Sequence, residues 1–284
     1  MTYREAAARI EKSCQTDGRF EAALIFSKLF GIDAAALMTR RDEDFDSDAL
    51  REAIEKREGG YPLQYILGEW EFFGLTFEVN ENCLCPRPDT ETLVEAAIEL
   101  LPKNGRFLEL CTGSGCIPVS LCKYRPDAIG VATDLFEKTL ATAKRNAERN
   151  GTSDKIDFYL ADLFEIEDFE KKCTAIPSSG FDTIISNPPY IPKKDIDELS
   201  AEVKHEPLAA LDGGEDGLDF YRFIVGEYKR LLAKDGYVLL EIGYDQGKAL
   251  CDIAEENGFA CEIKKDIGGN DRVAILKRKD GGPL

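Results

Sequence analysis

From Gly105 onward, short apolar runs alternate with amphipathic segments of helical period, and this alternation leaves few architectures open. Strands are expected at residues 106–110, 128–133, 155–160, 181–186, 236–242, 260–266 and 271–276, with helices near 116–124, 136–150, 218–233 and 245–257. Strands separated by helices predict a parallel, doubly wound sheet, because two parallel neighbours need a crossover between them. The end departs from this. Only Gly268-Gly269-Asn270 separates the last two strands, too little for a crossover, so they pair antiparallel. The fold class is therefore α/β, a seven-stranded mixed sheet with a reversed C-terminal strand.

Ahead of the sheet, residues 3–57 place apolar side chains such as Ala23, Leu24, Leu29 and Phe30 at three- and four-residue spacing. This predicts a small helical domain, divided by Gly18 and Gly31. Asp42-Glu43-Asp44 reads as a solvated loop, and Asp48 as the cap of the next helix. Gly59-Gly60 and Pro62 end the pattern. Phe72, Phe73, Leu75, Phe77 and Val79, with Gly74 and Asn80 to Asn82 as turn formers, predict a β-hairpin in residues 70–84. Pro86 and Pro88 then introduce a helix over about 90–101. The expected division is 1–69 helical, 70–85 hairpin linker and 86–284 the α/β domain, with Lys277-Arg278-Lys279 and Gly281-Gly282-Pro283 as a frayed tail.

A hydrophobic content of 43% supports a packed core. No apolar run approaches the roughly 20 residues of a spanning helix, and Met1 to Phe20 lacks the apolar stretch of a signal peptide. These features point to a cytoplasmic protein with no membrane partner. The nine cysteines are irregularly spaced, Cys83-x-Cys85 being the nearest to a pair, so reduced, mostly buried thiols and no metal are expected. A formal net charge of −18 disfavours nucleic acid, which is gripped by clustered Lys and Arg, and favours a protein or small-molecule partner.

The first α/β strand runs into Cys111-Thr112-Gly113-Ser114-Gly115, and a helix follows. Glycines at such a turn let a ligand approach the backbone at the helix N-terminus. The next strand ends in Asp134, placed to accept from a ribose diol; its structural alternative is a helix cap. After the third strand, Asp162 could meet an adenine amino group while Leu163 packs on the ring; a turn-capping role for Asp162 stays equally open. Pro118 stands where a nicotinamide-binding turn has its third glycine.

The sharpest signal is Asn187-Pro188-Pro189-Tyr190 at the end of the fourth strand. Two prolines stiffen the backbone and remove two N–H donors, so carbonyl oxygens are left facing outward. Asn187 adds a side-chain acceptor and Tyr190 an aromatic face. Together they suit a planar –NH₂ group, held by both hydrogens with its lone pair aimed at an electrophilic methyl. S-adenosylmethionine supplies such a methyl without a metal, leaving S-adenosylhomocysteine. A proline-stiffened structural loop is the alternative. The single histidine, His205, beside Glu206-Pro207, reads as a surface or hinge residue.

With these motifs the chain resembles the bacterial release-factor glutamine methyltransferases over essentially its whole length. The resemblance rests on Gly60-x-Pro62-x-Gln64-Tyr65, Gly68, Pro86-Arg87-Pro88-Asp89-Thr90-Glu91, the Thr112-Gly113-Ser114-Gly115 turn, Asn187-Pro188-Pro189-Tyr190-Ile191, Glu206-Pro207-x-x-Ala210-Leu211, and Gly268, Asn270 and Arg272. It implies a Rossmann-like class I methyltransferase domain, acting on the glutamine of the Gly-Gly-Gln motif in class-I peptide-chain release factors. The helical domain would contact the release factor, the protein being a monomer. Asn187 to Tyr190 would hold the glutamine amide, with Asn187 also at the cofactor. Gly113, Gly115, Asp134 and Leu163 would line the cofactor site. Cys111 departs from the family's first glycine, and a positive φ there would be strained; Cys85 replaces an aliphatic residue. A ribosomal-protein glutamine, an adenine in nucleic acid and a non-catalytic cofactor sensor are the competing readings.

Overall fold

Five helices open the chain: α1 (Tyr3–Cys14), α2 (Gly18–Phe30), α3 (Ala34–Thr39), α4 (Asp48–Glu58) and α5 (Leu63–Leu67). The computed structural model describes residues 1–279, so the Gly281–Pro283 part of the expected tail lies outside the described residues. Lys277 and Arg278 correct the rest of that expectation, for they end the last strand. A capping box starts α1: Thr2 Oγ1 accepts from the Glu5 amide at 3.1 Å and the Glu5 carboxylate accepts from the Thr2 amide at 2.8 Å. Ile10, Ile25, Phe26, Leu50 and Ile54 form a core of this unit's own. Ser47, not Asp48, caps α4 through its hydroxyl; Asp48 is the first helical residue, where its charge suits the helix dipole.

Strands β1 (Glu69–Phe72) and β2 (Leu75–Glu78) form the hairpin. Phe73 and Gly74, at φ 51° and 71°, make its two-residue turn. Residues 79–84 are not strand, because Asn80 Oδ1 accepts from the Asn82 amide at 3.0 Å and closes a local turn.

The large domain then runs through α6 (Glu91–Leu100), β3 (Arg106–Leu110), α7 (Cys116–Tyr124), β4 (Ile129–Asp134), α8 (Glu137–Asn150), β5 (Ile156–Leu160), α9 (Ile166–Lys172) and β6 (Phe181–Ser186). It ends with α10 (Asp219–Glu227), β7 (Leu232–Glu241), α11 (Gly247–Glu256), β8 (Phe259–Lys265) and β9 (Asp271–Arg278). The sheet order is β5-β4-β3-β6-β7-β9-β8. Among the described residues, β9 alone runs against the direction of the other six strands, inserted between β7 and β8.

One face of the sheet packs on Leu93, Ile117 and Leu121 together with hairpin residues Phe72 and Phe77. The other packs on Phe169, Tyr221, Ile224 and Leu250. Burial on both faces explains the near-continuous apolar strands. The helix expected over 218–233 stops at Glu227, and Leu232 is already strand because it pairs with Phe181. The expectation of reduced cysteines also needs correction. Packing of α11 on β8 brings Cys251 and Cys261 together as a disulfide, with Cα atoms 5.3 Å apart.

Candidate active site

The C-terminal ends of β3, β4, β5 and β6 face one cavity of about 210 Å³, the edge where parallel α/β sheets receive ligands. Between β3 and α7 the backbone turns sharply, with Cys111, Gly113 and Gly115 at φ 60°, 57° and 79°. The strain foreseen at Cys111 is therefore present, costing roughly 1–2 kcal/mol for a residue with a Cβ. A Cβ on Gly113 would meet nothing within 4 Å, so this backbone is open to a ligand. Gly115 is needed for a different reason: a Cβ there would lie 3.0 Å from that of Ala143 on α8. Burial pushes the Cys111 thiol up, which keeps it protonated at neutral pH.

Asp134 closes the turn. Its Oδ2 accepts from the Gly113 amide at 3.0 Å and its Oδ1 from the Phe136 amide at 3.1 Å. It is thus both a local cap and a wall of the cavity, and each oxygen keeps a lone pair for a further donor. Asp162 makes a similar local turn, accepting from the Phe164 amide at 2.9 Å, and lines the cavity beside the buried Leu163. Thr112 and Ser114 complete this side, and the buried Ser114 hydroxyl has no partner among the described residues.

Asn187 and Pro189 form the opposite wall. The Asn187 side-chain nitrogen donates to Thr90 Oγ1 at 3.3 Å, and no protein donor reaches its oxygen among the described residues. No backbone N–H reaches the carbonyls of Pro188 or Pro189 either. Gly115, Pro188 and Tyr190 do not line the cavity. The Tyr190 ring packs against the core, and its carbonyl accepts from Gln246 Nε2 at 2.9 Å.

Several groups of this site carry no role in the sequence motifs, though Arg87, Thr90 and Glu206 stand within them. Thr90 is buried beside Asn187. Glu206 is also buried; it accepts from the Cys85 amide at 3.1 Å and pairs with Arg87, which lines the cavity. Glu109 and Glu241 are carboxyls buried within β3 and β7, raised by burial to about 8 and about 7. Thr112 donates to Glu109. The available signal was a lone acid inside each apolar run, Phe107-Leu108-Glu109-Leu110 and Leu239-Leu240-Glu241-Ile242. His205 is exposed at a 3₁₀ turn, its ring edge-on to Tyr61 at 5.3 Å.

Sheet order and the reversed β9 set this domain among the class I methyltransferases, which take their methyl group from S-adenosylmethionine. A family model described as PrmC N-terminal domain matches residues 2–68, and one described as methyltransferase small domain matches residues 88–211. The chain is 34% identical to the release factor glutamine methyltransferase of Aquifex aeolicus, over 94% of each chain. It is 40% identical to that of Thermodesulfovibrio yellowstonii, over 91% of this chain and 92% of the relative. The chain belongs to the release factor glutamine methyltransferase family. Among solved structures, a methyltransferase from Pyrococcus furiosus shares the fold, with a TM-score of 0.51 and 22% identity over 72% of this chain and 89% of its own.

The cavity suits the cofactor. Gly113 opens its backbone toward it, the Ser114 hydroxyl is unpaired, and Asp134 retains acceptor capacity for a diol.

Proposed function

We propose that this chain methylates the side-chain amide nitrogen (N5) of the glutamine in the Gly-Gly-Gln motif of class-I peptide-chain release factors. The match to release factor glutamine methyltransferases along the whole chain, helical region included, carries this reading. In it, residues 1–69 form the substrate-binding domain, 70–85 the hairpin linker and 86–284 the catalytic domain. Residues Cys111 to Ser114, Asp134, Asp162, Leu163 and Asn187 hold S-adenosylmethionine, and Gly115 lets the turn pack against Ala143. When bound, it supplies an electrophilic methyl and leaves as S-adenosylhomocysteine.

An amide nitrogen is a poor nucleophile because its lone pair is delocalised. Asn187 Oδ1 and a carbonyl of the Pro188-Pro189 pair accept the two N–H hydrogens and hold the amide plane in the reactive orientation. As the N–CH₃ bond forms, positive charge grows on the nitrogen, and these oxygens stabilise it. The surplus proton then leaves to water. Tyr190 anchors the loop through its carbonyl, which the Gln246 amide binds.

The net charge of −18 favours a protein substrate over nucleic acid. Among the described residues no helix is long and apolar enough to cross a membrane. We place the enzyme in the cytoplasm as a monomer. The test offers donor labelled in the methyl group to four acceptors: a class-I release factor, its Gly-Gly-Gln glutamine→alanine variant, ribosomal proteins and an adenine-containing oligonucleotide. Label on the release factor alone is expected. Label on the oligonucleotide or the ribosomal proteins instead overturns the reading.

A further inference from the structure

Glu241 ends β7 where no sheet residue needs an acid. Strands β6 and β7 run parallel with Ser186 opposite Leu240, so Asn187 and Glu241 are the next neighbours along the two chains. The Glu241 side chain is buried, and its Oε2 has no partner among the described residues. Thr90 and Asn187 are the polar neighbours that favour its charged form, and their side chains are bonded to each other. The other polar groups facing it are Arg272 on β9, Asp89 before α6, the Tyr190 and Tyr221 phenols and the Cys116 thiol.

An asparagine amide carries a donor and an acceptor at opposite corners, and a half-turn exchanges them. An ionised carboxylate only accepts. A Thr90 hydroxyl turned toward Glu241 would donate to it, which leaves a Thr90 Oγ1 lone pair to accept from Asn187 Nδ2 at 3.3 Å. Both donors of the Asn187 amide then face the buried side, and Oδ1 faces the cavity. The reversed amide would set an oxygen against the carboxylate and an –NH₂ against the substrate's own –NH₂.

We propose that Glu241, acting with Thr90, is a positioning residue that fixes the Asn187 amide with its oxygen toward the substrate. This rests on the reading that Asn187 holds the glutamine amide. Burial raises the Glu241 carboxyl to about 7, against the opposing pull of Thr90, Arg272 and Asn187. Below that pH the protonated acid donates to Thr90, and the orientation is released. Turnover therefore rises with pH through neutrality as Glu241 ionises.

The test compares wild type with Glu241→Gln, Thr90→Val and Thr90→Ser. It measures kcat and KM for the release factor from pH 6 to 9 and calorimetric affinity for S-adenosylhomocysteine. Glu109 titrates nearby, at about 8, so the readout is the difference between wild type and variant at each pH. Glu241→Gln should lower kcat about tenfold or more at pH 8, leave KM and product affinity within about threefold, and lose the rise near pH 7. Thr90→Val should reproduce the loss and Thr90→Ser recover most of it, a comparison that leaves the buried acid untouched. Wild-type kcat and pH profile in Glu241→Gln, or equal behaviour of the two Thr90 variants, would overturn the proposal. A wild type that never methylates the release factor would instead overturn the functional reading, and this proposal with it.

Discussion

Arg57 and Glu202 are joined at 3.2 Å across the boundary between the helical unit and the loop that follows the Asn-Pro-Pro-Tyr segment. The same guanidinium holds the buried Glu21 of α2 at 2.6 Å. Three residues beyond Glu202, His205 meets Tyr61 edge-on, and Glu206 grips Arg87 at the cavity wall. One short stretch thus connects the helical unit to the site.

Removing the two partners should have unequal effects. Arg57→Met leaves Glu21 buried and unpaired, which costs about 3–5 kcal/mol. Glu202→Ala removes only a pair whose acid is 33% exposed, worth less than about 1 kcal/mol. Denaturant unfolding of the two variants measures the difference, and equal losses would contradict the assignment of Glu21 as the main partner.

Asp134 organises the cofactor side by binding the Gly113 amide while keeping lone pairs for a ligand. Asp134→Ala should weaken S-adenosylhomocysteine binding by roughly 1–3 kcal/mol, the loss of hydrogen bonds to a charged acceptor. Calorimetry reads this directly. Unchanged affinity would reduce Asp134 to a local cap.

The left-handed backbone at Cys111 predicts an inverted size rule. Cys111→Gly relieves the strain but frees the unfolded chain, so its stability should equal wild type or exceed it by up to about 1 kcal/mol. Cys111→Val, branched at Cβ, should lose about 1–3 kcal/mol. Thermal unfolding with methyl-transfer assays checks both, and a Gly variant less stable than the Val variant would contradict the strain.

Strands β3 and β6 were legible because each is an apolar run bounded by turn residues, and α7 because its apolar face repeats with helical period. The turn glycines and the Asn-Pro-Pro-Tyr segment stood out in the sequence, since few other residue types serve in such turns. Helices α5 and α9, of five and seven residues, are too short to show a period. The start of β7 depended on a partner strand, and the Cys251–Cys261 bridge on helix–strand packing. Thr90 and Asn187 lie 97 residues apart, so their contact had no local signature. The acids Glu109 and Glu241 became informative only once the sheet showed both strands buried.

In the proposed reaction Asn187 acts on the reacting amide rather than on the cofactor alone. The most direct measurement compares Asn187→Ala with wild type in two assays, calorimetric affinity for S-adenosylhomocysteine and single-turnover methylation of a class-I release factor. Affinity should stay within several-fold while the methylation rate falls by about 10²–10³, as expected when a transition-state interaction is lost. Equal losses in the two assays would make Asn187 a binding residue and contradict the account.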